Sequence, residues 1–428
     1  MKKNKQQGEL QSKRGYPGVL LQPLKGFRDF LPAEKQARNF VMDKITETFE
    51  TFGFQPLETP TLEYASLLLG KYGDEADKLV YTFEDRGNRK IGLRYDQTVP
   101  SARILAQYQD KLPKYFRRYQ IQNVFRADKP QKGRYREFTQ CDIDVFGSTS
   151  PLADAEIMAC TYKAFQNVGF NKIILKFNDR ETLIKTIKPF VTETVDVFSI
   201  IQSIDKLDKM KPEDVVAELV KKGLEKADAE KALTSIKNAE KSANLKEIEQ
   251  NMYDLGVPKE AVEFSPILAR GLDYYTGVIF EVIIPEYGVG SCGGGGRYDK
   301  LINDLGGPNI PAVGIAFGFD RMVQAATELD IIPQDQGVEI LVANFDETVL
   351  PQTLQATKKL REQGIRTELY PALDKLGKQF KYASQNNIPY VCIVGEDEAK
   401  NNTISIKNMA TGEQKTLALT EIMKYREI

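Results

Sequence analysis

Residues 138–147 (FTQCDIDVFG) alternate in character with period two, and no other feature restricts the fold of this chain more. Side chains on a β-strand point to opposite faces in turn. Cys141, Ile143 and Val145 therefore share an apolar face, while Phe138, Gln140, Asp142 and Asp144 share the other. An amide and two carboxylates in a row are costly to bury unless something polar binds there. Residues 115–128 (YFRRYQIQNVFRAD) are also strand-like, and the basic loop 129–136 (KPQKGRYR) joins the two segments. The pair reads as an antiparallel hairpin whose polar face is either solvated or a binding surface. Arg126 closes the first strand beside the cationic loop, and the arginine fork suits phosphate oxygens.

Composition narrows the chemistry. The sequence of 428 residues contains neither histidine nor tryptophan. Histidine is the usual general base and the commonest metal ligand near neutral pH. Ser/His and Cys/His triads and His-ligated metals are therefore excluded, and no metal site is expected. Any chemistry must run on carboxylates, arginines, tyrosines and backbone groups. Cys141, Cys160, Cys292 and Cys392 stand far apart without a C-x-x-C pair. That spacing argues against a disulfide framework or a zinc site and suits a reducing, cytoplasmic setting. Net charge is −1, so contact with nucleic acid would rest on local basic patches. No apolar run approaches the length of a bilayer crossing, and no membrane partner is expected.

The organisation along the chain follows from periodicity and breakers. Residues 1–22 are polar and basic without an apolar core, the pattern of a flexible arm rather than a secretory signal. The spacing predicts a helix over 33–52, an extended segment over 53–63 and a helix over 152–168. A Lys-, Glu- and Ala-rich stretch over about 200–259 reads as a solvated helical insertion. The glycines of SCGGGGRYD (291–299) read as a turn of bare backbone. Gly288, Gly290 and Gly293 satisfy G-x-G-x-x-G, but more glycines follow where a helix should begin, which counts against a dinucleotide site. Residues 333–337 read as a linker, and beyond them strands and helices alternate as in a small α/β domain.

On these residues the chain resembles the histidine-specific class II aminoacyl-tRNA synthetases, from about residue 23 onward. FRADKPQKGRYREFTQCDID (125–144) resembles the motif 2 hairpin of that family, and GIAFGFDRM (314–322) resembles motif 3. ARGLDYYTG (269–277) is similar to the signature that separates histidine enzymes from other class II synthetases. The fold implied is α+β, with an antiparallel-sheet catalytic domain over 23–333 carrying the insertion, and an α/β anticodon-binding domain over 337–428. The resemblance implies that Arg126 and Arg270 stabilise charge on the ATP α-phosphate, and that Phe138 and Arg321 hold the adenine. It implies Asp96, Thr98 and Gln140 (the first two in LRYDQTVP, 93–100) at the α-ammonium of histidine. Asp144 and Tyr275 then fall at the imidazole, with Tyr274 structural. A carboxylate paired with a phenol satisfies both imidazole nitrogens and rejects substrates lacking them.

Gln131, Lys132 and Arg134 are implied near the acceptor end of tRNA(His). The implied cosubstrate is ATP with Mg2+, without a prosthetic group, and the implied assembly is a homodimer. Asp96 and Asp144 depart from the glutamates of many bacterial members, as in the eukaryotic-type branch. The alternative is a histidine-sensing regulatory subunit of an ATP phosphoribosyltransferase, which shares the catalytic fold and lacks the anticodon-binding domain.

Overall fold

A computed structural model describes residues 21–69, 79–129, 135–207, 210–269, 274–333 and 337–427. Residues 1–20 of the expected arm, and residues 334–336 of the expected linker, lie outside this set. The chain divides into two compact units, Met1–Ile331 and Ile332–Ile428.

The first unit begins its regular structure with the helix Pro32–Thr51, whose proline stands at the first helical position, where no N–H is missed. Val41, Ile45 and Phe49 repeat every fourth residue and are fully buried. The helix stops at Gly53, which adopts φ +76°. Gly53 N–H donates to Glu50 O and Phe54 N–H to Phe49 O, a Schellman ending with Phe54 folded against the buried face. The helix Pro151–Val168 repeats the device, with Gly169 at φ +119° and Phe170 N–H donating to Phe165 O. Phe49 and Phe165 both pack on Phe317, at 5.3 Å and 5.8 Å between ring centroids, so the two helices cover one face of a central sheet.

The strands, in chain order, are β1 Gln55–Pro56, β2 Leu62–Tyr64, β3 Thr82–Glu84, β4 Lys90–Leu93, β5 Phe116–Phe125, β6 Glu137–Phe146, β7 Ile174–Asp179, β8 Val262–Phe264, β9 Val278–Ile283, β10 Ser291–Arg297 and β11 Ala312–Phe317. Among the described residues, the central sheet has eight strands in the order β1-β5-β6-β11-β10-β9-β7-β8, and β2-β4-β3 forms a small separate sheet. The ladders from β5 to β7 are antiparallel, whereas β1 and β8 join the edges in parallel. This is the α+β architecture that the resemblance implies.

Two expectations need correction. Residues 291–297 form a strand at the centre of the sheet, not a turn. A Cβ at Gly295 would strike the backbone of Gly314, and one at Gly296 would meet the backbone of Val278 and the Tyr275 ring. The glycines are needed for the close approach of neighbouring backbone and the Tyr275 ring rather than for a change of chain direction. The helical insertion also starts earlier than residue 200. Leu183 and Ile187 of helix Arg180–Ile187 belong to the same apolar cluster as Ile200, Leu219 and Ile236. Helix Ala243–Asp254 instead packs back on Pro151–Val168.

In the second unit, β12 Ile340–Val342, β13 Thr367–Leu369, β14 Tyr390–Ile393, β15 Thr403–Asn408 and β16 Gln414–Ala418 form a sheet in the order β13-β12-β14-β15-β16. Ile340 and Val342 face the helix Leu350–Glu362, and Leu341 faces the helix Leu376–Gln385. A strand covered on both faces explains the unbroken apolar run of its sequence. Gln379 is fully buried; its amide donates to Asn344 O and Asp374 O and accepts from Asn344 N–H.

Cys141, Cys160, Cys292 and Cys392 are free and buried, and desolvation pushes each thiol above its ordinary range. The folded protein is expected to react with a thiol-specific chromogenic disulfide at less than one equivalent per chain. After denaturation it should react at four, and rapid reaction in the folded state would contradict the packing.

Candidate active site

The β5–β6 register sets Arg118 opposite Asp144, Gln120 opposite Asp142, Gln122 opposite Gln140 and Val124 opposite Phe138. Paired residues point to the same side of a sheet, so one face gathers a cation, two carboxylates and three amides. All but Gln122 of these charged and amide groups are at least nine-tenths buried. Arg118 Nη2 lies 2.6 Å from Asp144 Oδ2 and 3.9 Å from Asp142 Oδ2. The Tyr298 hydroxyl donates to Asp144 Oδ1, and Gln140 Nε2 donates to Asp142 Oδ2 at 2.8 Å. Burial pushes the Asp144 carboxyl upward against the pull of Arg118 and Tyr298. Burial and the neighbouring Asp144 and Asp96 charges push Asp142 up to about 8, despite Arg118 and Gln140.

The floor beside these carboxyls has almost no side chains. Along one row Asp144 pairs with Gly314 and Gly314 with Gly296; along the next, Asp142 pairs with Ala316 and Ala316 with Gly294. A Cβ on Gly314 would collide with the Asp144 carboxyl. The Tyr275 ring lies over Gly296, tilted by 48° against Tyr274 at 4.7 Å, and Tyr274 meets Tyr298 edge-on at 6.0 Å. Gly294, Gly296, Gly314 and Ala316 thus leave a trough bounded by carboxyls on one side and tyrosines on the other.

The structure describes only some of the other expected residues. Asp96 Oδ1 accepts from Val99 N–H and starts the helix Thr98–Gln107, whose first residue is Thr98. Gln97 Nε2 donates to the carbonyls of Gln122 and Gln140, which ties this helix start to the hairpin. Arg94 donates to Asn123 O and Thr59 O. The Arg126 guanidinium lies 5.1 Å from the centroid of Phe138 and 4.4 Å from that of Tyr95. Arg321 stands in the first turn of the helix Phe319–Glu328, exposed, with Nη1 donating to Ser291 O at 2.6 Å. Arg270, Gln131, Lys132 and Arg134 lie outside the described residues. No group of three or more metal-ligating side chains stands together among the described residues.

Gln97 Oε1, Gln140 Oε1 and Asp142 Oδ1 are buried acceptors without a hydrogen-bond partner among the described residues. Unpaired buried acceptors are uncommon in folded proteins, and three bordering one trough suit a ligand that brings donors.

A family model described as "Histidyl-tRNA synthetase" matches residues 26–322, and one described as "Anticodon binding domain" matches residues 331–426. The chain belongs to the histidyl-tRNA synthetase family. A histidine–tRNA ligase of Phocaeicola vulgatus is 40% identical, covering 93% of this chain and 97% of the relative. One of Porphyromonas gingivalis is also 40% identical, covering 92% and 96%. Among solved structures, histidyl-tRNA synthetase of a Nostoc species has a TM-score of 0.84 at 29% identity, covering 95% of this chain and 100% of that one. A Bacillus halodurans protein described as an ATP phosphoribosyltransferase regulatory subunit/histidyl-tRNA synthetase has a TM-score of 0.72 at 21% identity, covering 88% and 99%, and that likeness shows the fold alone.

Several residues that build this synthetase-family site escape a reading of motifs. Arg118 is one of two adjacent arginines, and the period of the strand separates them: Arg117 pairs with Glu156 in partial solvent, whereas Arg118 is fully buried. Tyr298 and Arg297 follow the glycine run, where the expectation of a turn hid their inward aim. Arg38 and Arg28 both hold Asp320, the neighbour of Arg321, and Arg38 Nη2 donates to Thr139 Oγ1 at 2.8 Å.

Arg297 is held by Asp154 at 2.9 Å, Asp299 at 3.0 Å and the Ser148 carbonyl at 2.8 Å, with both Arg297 and Asp154 buried. Removing one partner strands the other charge in the interior. Arg297→Met is expected to destabilise the first unit by about 3–5 kcal/mol. Urea unfolding of the intact protein measures this, and a loss below about 1 kcal/mol would show that the pair is effectively solvated.

Proposed function

We propose that this chain is a histidine–tRNA ligase that activates histidine with ATP and passes it to the 3′ end of tRNA(His). The observation that carries the reading is the trough itself. Buried carboxyls and unpaired amide oxygens line one side, tyrosine rings the other, and bare glycines the floor. Such a cleft accepts a small molecule with an ammonium group and a flat ring bearing N–H. In the proposed arrangement Asp96, Thr98 and Gln140 receive the α-ammonium, while Asp144 and Tyr275 take the imidazole. The Tyr298 hydroxyl and Arg118 fix Asp144, so the imidazole meets a preset acceptor.

ATP enters as its magnesium complex, the cation carried on the phosphates as part of the substrate. Phe138 offers a stacking face for adenine, with Arg126 beside it and Arg321 on the opposite side of the proposed nucleotide. The histidine carboxylate oxygen then bonds to the α-phosphorus as the bond to the β-phosphate bridging oxygen breaks, and pyrophosphate leaves. Arg126 and Arg270 neutralise charge that develops on the α-phosphate, usually the largest contribution to such a step. In the second step a terminal ribose hydroxyl of tRNA attacks the adenylate carbonyl, and AMP leaves. No imidazole is required of the enzyme, because positioning and fixed charge carry phosphoryl-type chemistry.

Gln131, Lys132 and Arg134 are proposed to meet the acceptor end, and the residues after 337 the anticodon. A homodimer acting in the cytoplasm completes the proposal. The alternative regulatory role is disfavoured by the anticodon-binding match and by the retention of Arg126, Arg270 and Arg321.

The test is ATP–pyrophosphate exchange with each of the twenty amino acids, followed by tRNA charging. Exchange is expected with histidine alone. Arg126→Ala should lower it by on the order of 10²–10³-fold, and Asp144→Asn should reduce kcat/KM for histidine about a hundredfold. Exchange with a different amino acid, or none with any, would overturn the reading.

A further inference from the structure

The Asp142 carboxyl has no role in the arrangement just described, yet it is placed at its centre. It is 3% exposed, and its Oδ2 accepts from the amide of Gln140, the residue assigned to the substrate ammonium. Its Oδ1 is buried and has no hydrogen-bond partner among the described residues. On the neighbouring strand its partner is Ala316, and Gly294 follows, so no large side chain covers it from that direction.

The charges around Asp142 do not balance. Arg118 supplies one positive charge, 2.6 Å from Asp144 and 3.9 Å from Asp142. Asp144 is further held by the Tyr298 hydroxyl, whereas Asp142 has only the Gln140 amide. Asp96 acts on Asp142 from the start of the next helix, and Cys141 is an uncharged thiol on the opposite face of β6. One guanidinium thus serves two buried carboxyls, and the nearer, better-bonded one takes the negative charge. Among the described residues the second has no cation closer than Arg118 at 3.9 Å until one arrives in the trough.

We propose that Asp142 is a further ligand for the α-ammonium of the amino-acid substrate, joining Asp96 and Gln140, and that the arriving ammonium converts it from carboxylic acid to carboxylate with release of one proton. This rests on the histidine reading of the trough. The proton passes from the Asp142 carboxyl to solvent, and the ammonium stays protonated. The empty site is then neutral across Arg118, Asp142 and Asp144, and the filled site exchanges that proton for the charge of the substrate. Burial raises Asp142 to about 8, which leaves it mostly protonated at neutral pH. A neighbouring cation moves the group down into its charged form.

Two ligands distinguish this role from simple support of the hairpin: L-histidine, and 3-(imidazol-4-yl)propionate, which keeps ring and carboxylate but lacks the amine. Calorimetric titration of the full-length wild-type protein at pH 7, in buffers of low and high ionisation enthalpy, is expected to show about one proton released with histidine and none with the analogue. Asp142→Asn should abolish the release and weaken histidine about tenfold, while the analogue binds within twofold of wild type. The wild-type comparison stands whether or not the variant folds. Equal proton release with both ligands, or release that survives Asp142→Asn, would overturn the proposal. So would equal weakening of both ligands in the variant. Failure of wild type to bind histidine at all would instead overturn the parent reading, and this one with it.

Discussion

Placing Arg118, Asp142 and Asp144 inside a sheet whose other face is largely apolar core is the constraint that organises the first unit. Desolvating three ionisable groups costs several kcal/mol each unless they are paired and hydrogen-bonded. The hairpin answers by bringing them into register on adjacent strands, so that one guanidinium stands 2.6 Å from Asp144 and 3.9 Å from Asp142. The Tyr298 hydroxyl donates to Asp144, the Gln140 amide donates to Asp142, and the Gln120 side chain accepts from Arg118. Everything near this cluster is small or fixed. Gly314 leaves room for Asp144, Gly296 leaves room for Tyr275, and Gln97 ties the next helix to the backbone of the hairpin.

A buried ion cluster is a poor source of stability, but it discriminates well, because any rearrangement leaves a charge unpaired. The stability of this unit is better sought on the far side of the sheet. There Phe49 and Phe165 pack on Phe317, and Ile45, Ile157 and Ile143 are fully buried. The sheet thus separates two tasks that conflict: close apolar packing behind, and buried polar capacity in front.

Much of this arrangement was legible. Period-two alternation in residues 138–147 assigned the faces of β6 correctly, and the helices expected over 33–52 and 152–168 end where Gly53 and Gly169 close them. The glycine run at 293–296 was not legible as a strand, because local propensity argues against one. Only the proximity of Gly314, Val278 and Tyr275, which are remote in sequence, makes bare backbone necessary there. Arg118 was hidden for the same reason, since its partners lie on the next strand and nothing local separates it from Arg117 except parity. The insertion boundary moved because Leu183 and Ile187 look like ordinary helix residues until their partners are known. In the second unit β12 was plain from its apolar run, since both its faces are covered.

The carboxyls raised by burial have a consequence for anyone observing this molecule. Imidazole normally dominates proton exchange between pH 6 and 8, and this chain has none. Among the described carboxyls, Asp154 is pushed up to about 6 and Asp142 up to about 8. Should histidine occupy the trough, its ring would be the sole imidazole in the complex. Its carbon-bound protons and ring nitrogens would then stand alone in a magnetic resonance spectrum, reporting tautomer and charge directly from inside the protein without isotopic editing of the chain.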